Sequence, residues 1–299
     1  MNFKSILKEI EKTDPEVYER LSDRRHILKS FGSKVAVAAL PIALGSLFKK
    51  AYGKTTATSD VISALNFALE MEYFEYNFWH TGNSTGGLIP TADAAGFLTI
   101  EAHEKAHILF LNTTVTTLGG TPYTPNFYNP LAVNPLYIPA AYDFTAGGAY
   151  PNTFDNYPSF LVMAQIFEDT GVHAYKGQIP TLFGNAGILT QAFQIQSVEG
   201  RHAAHVRLIR RNAGAAENPA PWISNNIPPP PILTSEPESQ FQPFYIGEDN
   251  TLQVGGVDIT TLPDAYATGG TVPKASATAA FDESMDMVTI SALLRPFLL

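Results

Sequence analysis

A chain of 299 residues without cysteine can form neither disulfides nor thiolate metal sites, and it is long enough for one sizeable core plus extensions. Its net charge of −9 is unevenly spread: residues 1–54 carry 11 Lys/Arg against 6 Asp/Glu, and the remainder carries 8 against 22. The acidic body argues against nucleic acid as a partner and suits attraction of cations.

The basic segment comes first in the chain. Arg24-Arg25-His26-Ile27-Leu28-Lys29 resembles a twin-arginine export signal. The uncharged stretch 35–48 follows, contains Pro41 and Gly45, and is closed by Lys49-Lys50. It is short for a membrane span and suits a signal h-region. Residues 1–54 are therefore expected to direct export to the periplasm or cell envelope, by a route that carries folded, metal-loaded protein. Two features keep other outcomes open. Asp14-Pro15-Glu16 reads as a helix start, and residues 50–54 offer no clean small-x-small cleavage site. An uncleaved segment would associate with the membrane through residues 33–50, and a basic amphipathic helix would pack on the body instead.

Four long helices follow, over residues 58–212. The first is expected to start after Ser59 as N-cap and to end near Trp79. Its stripe is Ile62, Leu65, Leu69, Tyr76 and Trp79, with Glu72 filling the gap. The second runs from after Thr91 to Gly119-Gly120. Glu104 and His107 fall on a stripe of Phe97, Ile100, Leu111, Val115 and Leu118. The third begins after Pro158, where Leu161, Ala164, Gly171 and Tyr175 bracket Glu168. The fourth runs from near Asn185 to before Gly214. Glu199 and His202 interrupt Ile188, Ala192, Ile195, Val206 and Ile209, and Arg207, Arg210 and Arg211 lie near the negative C-terminal end.

One pattern is thus written twice: Glu72 with Glu104-Lys105-Ala106-His107, and Glu168 with Glu199-Gly200-Arg201-His202, at gaps of 32 and 31 residues. Glu and His three apart share a helix face, so both can reach one metal. A carboxylate plus Glu-x-x-His, used twice, is the ligand set of a di-iron or di-manganese site in a four-helix bundle. Burying even one unpaired carboxylate costs several kcal/mol, comparable to the stability of a domain. Two divalent cations would balance four carboxylates and two neutral imidazoles. Oxygen and imidazole donors suit iron or manganese.

About 38 residues rich in Pro, Tyr and Gly join the second and third helices, the single long crossover that such a bundle requires. Its aromatic residues, Tyr123, Phe127, Tyr128, Tyr137, Tyr142, Phe144 and Tyr150, are expected to pack on the bundle. Residues 213–299 form an irregular extension. Pro228 to Pro231 reads as a spacer, residues 244–261 as a short hairpin, and residues 281–294 as a fifth helix ended by Pro296. The expected fold is all-α.

The ligand pattern resembles the ferritin-like superfamily, and Leu65-Asn66 before Glu72 is similar to the first helix of bacterioferritin-type proteins. Ala64-Leu65-Asn66-Phe67-Ala68-Leu69-Glu70-Met71-Glu72 and Ala280-Phe281-Asp282-Glu283-Ser284 resemble the ferritin-like domain proteins related to plant desiccation-related proteins. The resemblance covers about residues 58–212. It implies Glu72 and Glu168 as lone carboxylates, Glu104 and Glu199 as bridges, and His107 and His202 as one cap for each metal. Glu75 could be an extra ligand. Asp169, His103, His173 and His205 are read as surface or supporting positions. Val198 stands where relatives often place an acid before the second Glu-x-x-His, which changes the hydrogen bonding around the metals.

Two functions are compatible with this reading. One is an oxidoreductase acting on O₂ or peroxide. The other is a non-enzymatic metal-binding or structural envelope protein, with a structural or degenerate site. A homo-oligomer is compatible with either, although extensions at both ends disfavour a hollow 24-subunit cage.

Overall fold

A computed structural model describes residues 57–229, 241–253, 256–264 and 270–299. The expected export or anchor segment and the distal end of the proline run lie outside the described residues. Four long helices dominate: α1 Thr58–Ser84, α2 Thr91–Thr117, α3 Tyr157–Leu182 and α4 Ala186–Asn212. Asn156 caps α3 by accepting from Ser159 N–H at 2.9 Å, and Asn185 caps α4 by accepting from Ile188 N–H at 3.1 Å. α2 and α4 end as the glycines foretell. Gly119 and Gly214 adopt positive φ, and the amides after them return to Val115 and Arg210 carbonyls. Ser59 is not the cap of α1. That helix starts two residues earlier, Ala57 provides no side-chain cap, and the Ser59 hydroxyl turns to Asp60. α1 also runs past Trp79 to Ser84, since Thr81 and Gly82 do not break it.

α1 packs along α2 and α3 along α4. The two pairs meet through α1 and α3, while α2 and α4 touch only briefly. This arrangement explains the burial. α2 and α4 keep one wet face, whereas α1 and α3 are enclosed almost all round. Their outer faces are covered by the crossover, residues 118–156, and by the C-terminal extension. Phe74 and Phe78 of α1 and Phe167 of α3 meet Phe144 of the crossover and Phe297 near the C-terminus. Ring centroids lie 4.7 Å apart for Phe74–Phe167 and 5.2 Å for Phe167–Phe297. Each such ring contributes about 1.5–3 kcal/mol by burial. Tyr142 is buried with Phe144, and Tyr123, Tyr128, Tyr137 and Tyr150 pack against the core. Phe127 departs from the expectation and stays largely exposed, at a positive φ in a turn.

The extension adds a hairpin, β1 Leu252–Gln253 with β2 Val257–Asp258, and two short helices, α5 Lys274–Thr278 and α6 Met287–Leu294. The expected fifth helix over 281–294 is thus shorter. Asp286 caps it through Thr289 N–H, while the amides of Glu283 and Met285 bond to Glu248 and to the His173 carbonyl. Tertiary hydrogen bonds have captured the backbone that a longer helix would need. α5 was not anticipated. Arg207 and Arg210, read as helix-end charges, are buried. Arg207 makes a two-pronged pair with Asp169, which also accepts from the Tyr245 hydroxyl at 2.6 Å. Arg210 donates to Gln165 and Glu217. No helix among the described residues is long and apolar enough to cross a membrane.

One buried amide clasps the middle of the crossover. Asn77 Nδ2 donates to Leu136 O at 2.9 Å and to Tyr73 O at 2.7 Å, and its Oδ1 accepts from Ile138 N–H at 2.5 Å. Asn77→Ala is expected to lower stability by about 1–3 kcal/mol for each loop group left unpaired, read as a lower chemical-denaturation midpoint. Limited proteolysis is expected to cut first between residues 118 and 156.

Candidate metal centre

The four helices converge on one polar core. α1 supplies Glu72 and Glu75, α2 supplies Glu104 and His107, α3 supplies Glu168, and α4 supplies Glu199 and His202. All seven are buried, and the five carboxylates are 0 % exposed. The Glu-x-x-His spacing works as anticipated, since Glu104 and His107 lie on one inward face of α2, and Glu199 and His202 on one face of α4.

The atoms divide into two groups that share members. His107 Nδ1 lies 3.0 Å from Glu72 Oε2, 3.2 Å from Glu104 Oε2 and 3.2 Å from Glu199 Oε1. His202 Nδ1 lies 2.9 Å from Glu104 Oε1, 3.2 Å from Glu168 Oε2 and 3.4 Å from Glu199 Oε2. Glu104 and Glu199 therefore each turn one oxygen to each imidazole. Glu72 and Glu168 each serve one side only. Either group of four, Glu72/Glu104/His107/Glu199 or Glu104/Glu168/Glu199/His202, could hold a metal ion.

The residues fit a metal on structural grounds. Glu104 Oε1, Glu168 Oε2, both Glu199 oxygens and His202 Nδ1 are buried without a hydrogen-bond partner, although they lie close together. Atoms that approach one another without hydrogen-bond alignment are arranged around common points. Leaving that many polar atoms dry and unpaired is otherwise expensive.

Supporting contacts follow the internal two-fold pattern. Trp79, seven residues after Glu72, donates Nε1–H to Glu168 Oε1 at 2.6 Å. Tyr175, seven residues after Glu168, donates its hydroxyl to Glu72 Oε1. Each half thus orients the lone carboxylate of the other. Read only as apolar stripe members, Trp79 and Tyr175 escaped notice as donors. The matching seven-residue offset was the available signal.

The symmetry breaks in two places. His103, before Glu104, places Nδ1 3.0 Å from His202 Nε2, which suits His202 donating Nε2–H and presenting its Nδ1 lone pair inward. The matching position before Glu199 is Val198, which offers His107 nothing. Likewise Glu75 is matched in the other half by Gly171. A Cβ there would sit 2.7 Å from Glu75 Oε1, so the missing side chain makes room for the extra carboxyl. The remaining singled-out residues lie elsewhere. Asp169 pairs with Arg207. His205 rests against Phe97. His80 bonds Glu101 at 2.6 Å. His173 faces a different group of residues on the far side of α3.

The protein is a four-helix bundle carrying a buried Glu/His set able to bind metal ions. The model of the ferritin-like domain family matches residues 60–212, and the chain belongs to that family. None of the curated proteins matches it.

Without metal, protons compensate the charge. Burial, then the charges on Glu199, Glu168, Glu104 and Glu72, push Glu75 well up. Burial and Glu199 raise Glu104, and burial raises Glu168 to about 7. Burial opposes protonation of His107 and His202, but the carboxylates around them outweigh it and raise both. All five groups hold protons more tightly when folded than when unfolded, so the native state takes up protons. Their stabilisation is present at mildly acid pH and is lost as pH rises, Glu168 contributing between about 4.5 and 7. The metal-free protein is expected to melt at a falling temperature as pH is raised from 5 to 8. Adding Mn²⁺ or Fe²⁺ should restore stability most at the alkaline end, which calorimetry can measure.

Proposed function

We propose that this chain is a dinuclear iron or manganese carboxylate protein of the cell envelope that reacts with O₂ or peroxide. The observation that carries the reading is the division of Glu104 and Glu199 between the two imidazoles. A carboxylate with one oxygen on each side is placed to bridge two cations. Glu72 with His107 would complete one position, and Glu168 with His202 the other. When bound, such a pair supplies reversible one-electron oxidation of each ion. Iron would favour oxidase or ferroxidase chemistry, and manganese peroxide dismutation.

The protein's own residues prepare the site. Tyr175 and Trp79 fix the free oxygens of Glu72 and Glu168, leaving their other oxygens to ligate. His103 holds His202 in one tautomer. Burial, then the Glu72 charge, keep the Tyr175 hydroxyl protonated and therefore a donor. Without metal, burial and the neighbouring carboxylates push Glu75 well up, so among the five it is the one not needed to balance two divalent ions with four carboxylates. The Trp79, Phe97 and Phe160 rings pack together beside the site, with Trp79 and Phe97 centroids 5.0 Å apart, and exclude water from that end. A small oxidant would approach most directly from the α2–α4 side, where His103 is partly exposed and His107 keeps a slight exposure.

His107→Ala and His202→Ala are each expected to lower metal content and melting temperature, and the double variant to bind little or none. His80→Ala, outside the cluster, should keep full metal content. Excess Mn²⁺ or Fe²⁺ should partly rescue the single variants by mass action. Metal analysis of protein purified without chelators, followed by O₂ and H₂O₂ consumption assays, tests the reaction. A fully loaded protein that consumes neither would leave the metals as a staple joining four helices. A double variant with two metals per chain would end the dinuclear reading.

The envelope location rests on the twin arginines alone. Arg24→Lys/Arg25→Lys is expected to hold the protein in the cytoplasm, folded and metal-bound, because Lys does not reproduce the guanidinium pair. Cell fractionation reads the outcome, and normal arrival of the variant at the envelope would refute the export assignment.

A further inference from the structure

A second group of ligating side chains lies outside the bundle centre. His173 of α3 is 0 % exposed, Glu248 is 1 % exposed, and Asp282 approaches from the segment before α6. The three offer ligand atoms that all lie within 4.8 Å of one another. His173 is five residues beyond Glu168, about 140° further round the helix, and so points away from the four-helix core.

Two observations separate this group from an ordinary ion pair. His173 Nε2 lies 3.0 Å from Glu248 Oε1, yet neither ring nitrogen makes an aligned hydrogen bond. Glu248 Oε2 is likewise buried without a partner, although Oε1 accepts from Glu283 N–H at 2.7 Å. A buried imidazolium–carboxylate pair gains its stability from alignment, and here alignment is missing. A neutral imidazole and two carboxylates that share a cation need none, because their lone pairs converge on the ion rather than on each other.

We propose that His173, Glu248 and Asp282 form a mononuclear site for a divalent transition-metal cation. One nitrogen and two carboxylate donors match zinc or manganese, and the two carboxylates balance the ion's charge. Asp282 is partly exposed, which gives the ion a path and leaves room for water as a further ligand. Lys176 donates to the Asp282 main-chain carbonyl, and its charge also acts on the nearby Asp282 carboxylate and favours its ionised, ligating form. The Met285 carbonyl lies so close to Gly177 that a Cβ there would come within 1.9 Å of it. The cation would thus join three distant stretches of chain, α3, the segment around Glu248 and the segment before α6, where the extension already lies hard against the bundle.

The test uses the full-length, metal-depleted protein with Zn²⁺ as probe, counted by native mass spectrometry and titrated calorimetrically. The parent is expected to take three ions per chain, and Glu104→Gln/Glu199→Gln only one. His173→Ala and Glu248→Gln should each lose one ion from the parent count, or bind it at least tenfold more weakly. Glu248→Gln retains an acceptor for the Glu283 amide, so it carries the test if His173→Ala does not fold. In the parent, Zn²⁺ should protect residues 270–299 from proteolysis, and in Glu248→Gln it should not. Unchanged stoichiometry and affinity in both His173→Ala and Glu248→Gln would overturn the proposal. Failure of the dinuclear reading would look different: the parent would then bind one ion, and His173→Ala none.

Discussion

Five carboxylates and two imidazoles share one buried core, and the rest of the molecule is organised around that constraint. Isolated, each ionised group would cost several kcal/mol to bury, more together than a domain of this size has to spare. The groups coexist because each lies against opposite charge, holds a proton, or faces a point where a cation can sit. α1 and α3 bring the lone carboxylates from one side of the core, and α2 and α4 bring the Glu-x-x-His pairs from the other. The helices must be long and the crossover must span the bundle, because only a closed four-helix arrangement points all seven groups at one place.

The two halves of the bundle repeat one pattern of residues and depart from it at a few positions. The exchange of donors between Trp79 and Glu168, and between Tyr175 and Glu72, keeps the two-fold pattern with different side chains. The pairs His103 with Val198 and Glu75 with Gly171 break it. The two positions of the centre therefore differ in their surroundings. His202 is backed by a second imidazole, and His107 is not. An extra carboxyl stands on the side of α1, in the space that Gly171 leaves empty. Were ions to occupy both positions, these unequal surroundings would give them different affinities.

Enclosing α1 and α3 falls to chain outside the helices. The crossover and the C-terminal extension meet over them: Asp143 N–H bonds the Phe297 carbonyl at 2.8 Å, Leu299 N–H bonds the Ala141 carbonyl at 2.9 Å, and the Phe144 and Phe297 rings fill the same aromatic cluster. Tyr245 reaches the buried Asp169–Arg207 pair from the extension. Such a pair is costly unless its remaining bonds are met, and Tyr245 meets one of them. The extension is thus part of the wall that keeps the core dry.

The four helices, their glycine stops and the inward Glu/His set were legible because helical period and residue spacing are local properties. Glu104 and His107 share a face wherever that helix is placed, and a charge on an apolar stripe is conspicuous in any context. The long crossover was legible for a similar reason, since only its length and composition were needed. Other features depended on contacts between distant residues. The sequence treats Trp79 and Tyr175 as bulk, and only the meeting of α1 with α3 turns their polar tips toward carboxylates. Arg207 suits a helix end by sequence, but tertiary packing buries it against Asp169. Glu283 and Met285 belong to an expected helix until Glu248 and His173 claim their amides. The sequence by itself determined which residues face inward along each helix, because that follows from 3.6 residues per turn. Which inward residues meet, and which backbone groups are taken by distant partners, was decided by the tertiary structure, because hydrogen bonds and charge pairs across the core have no fixed separation along the chain.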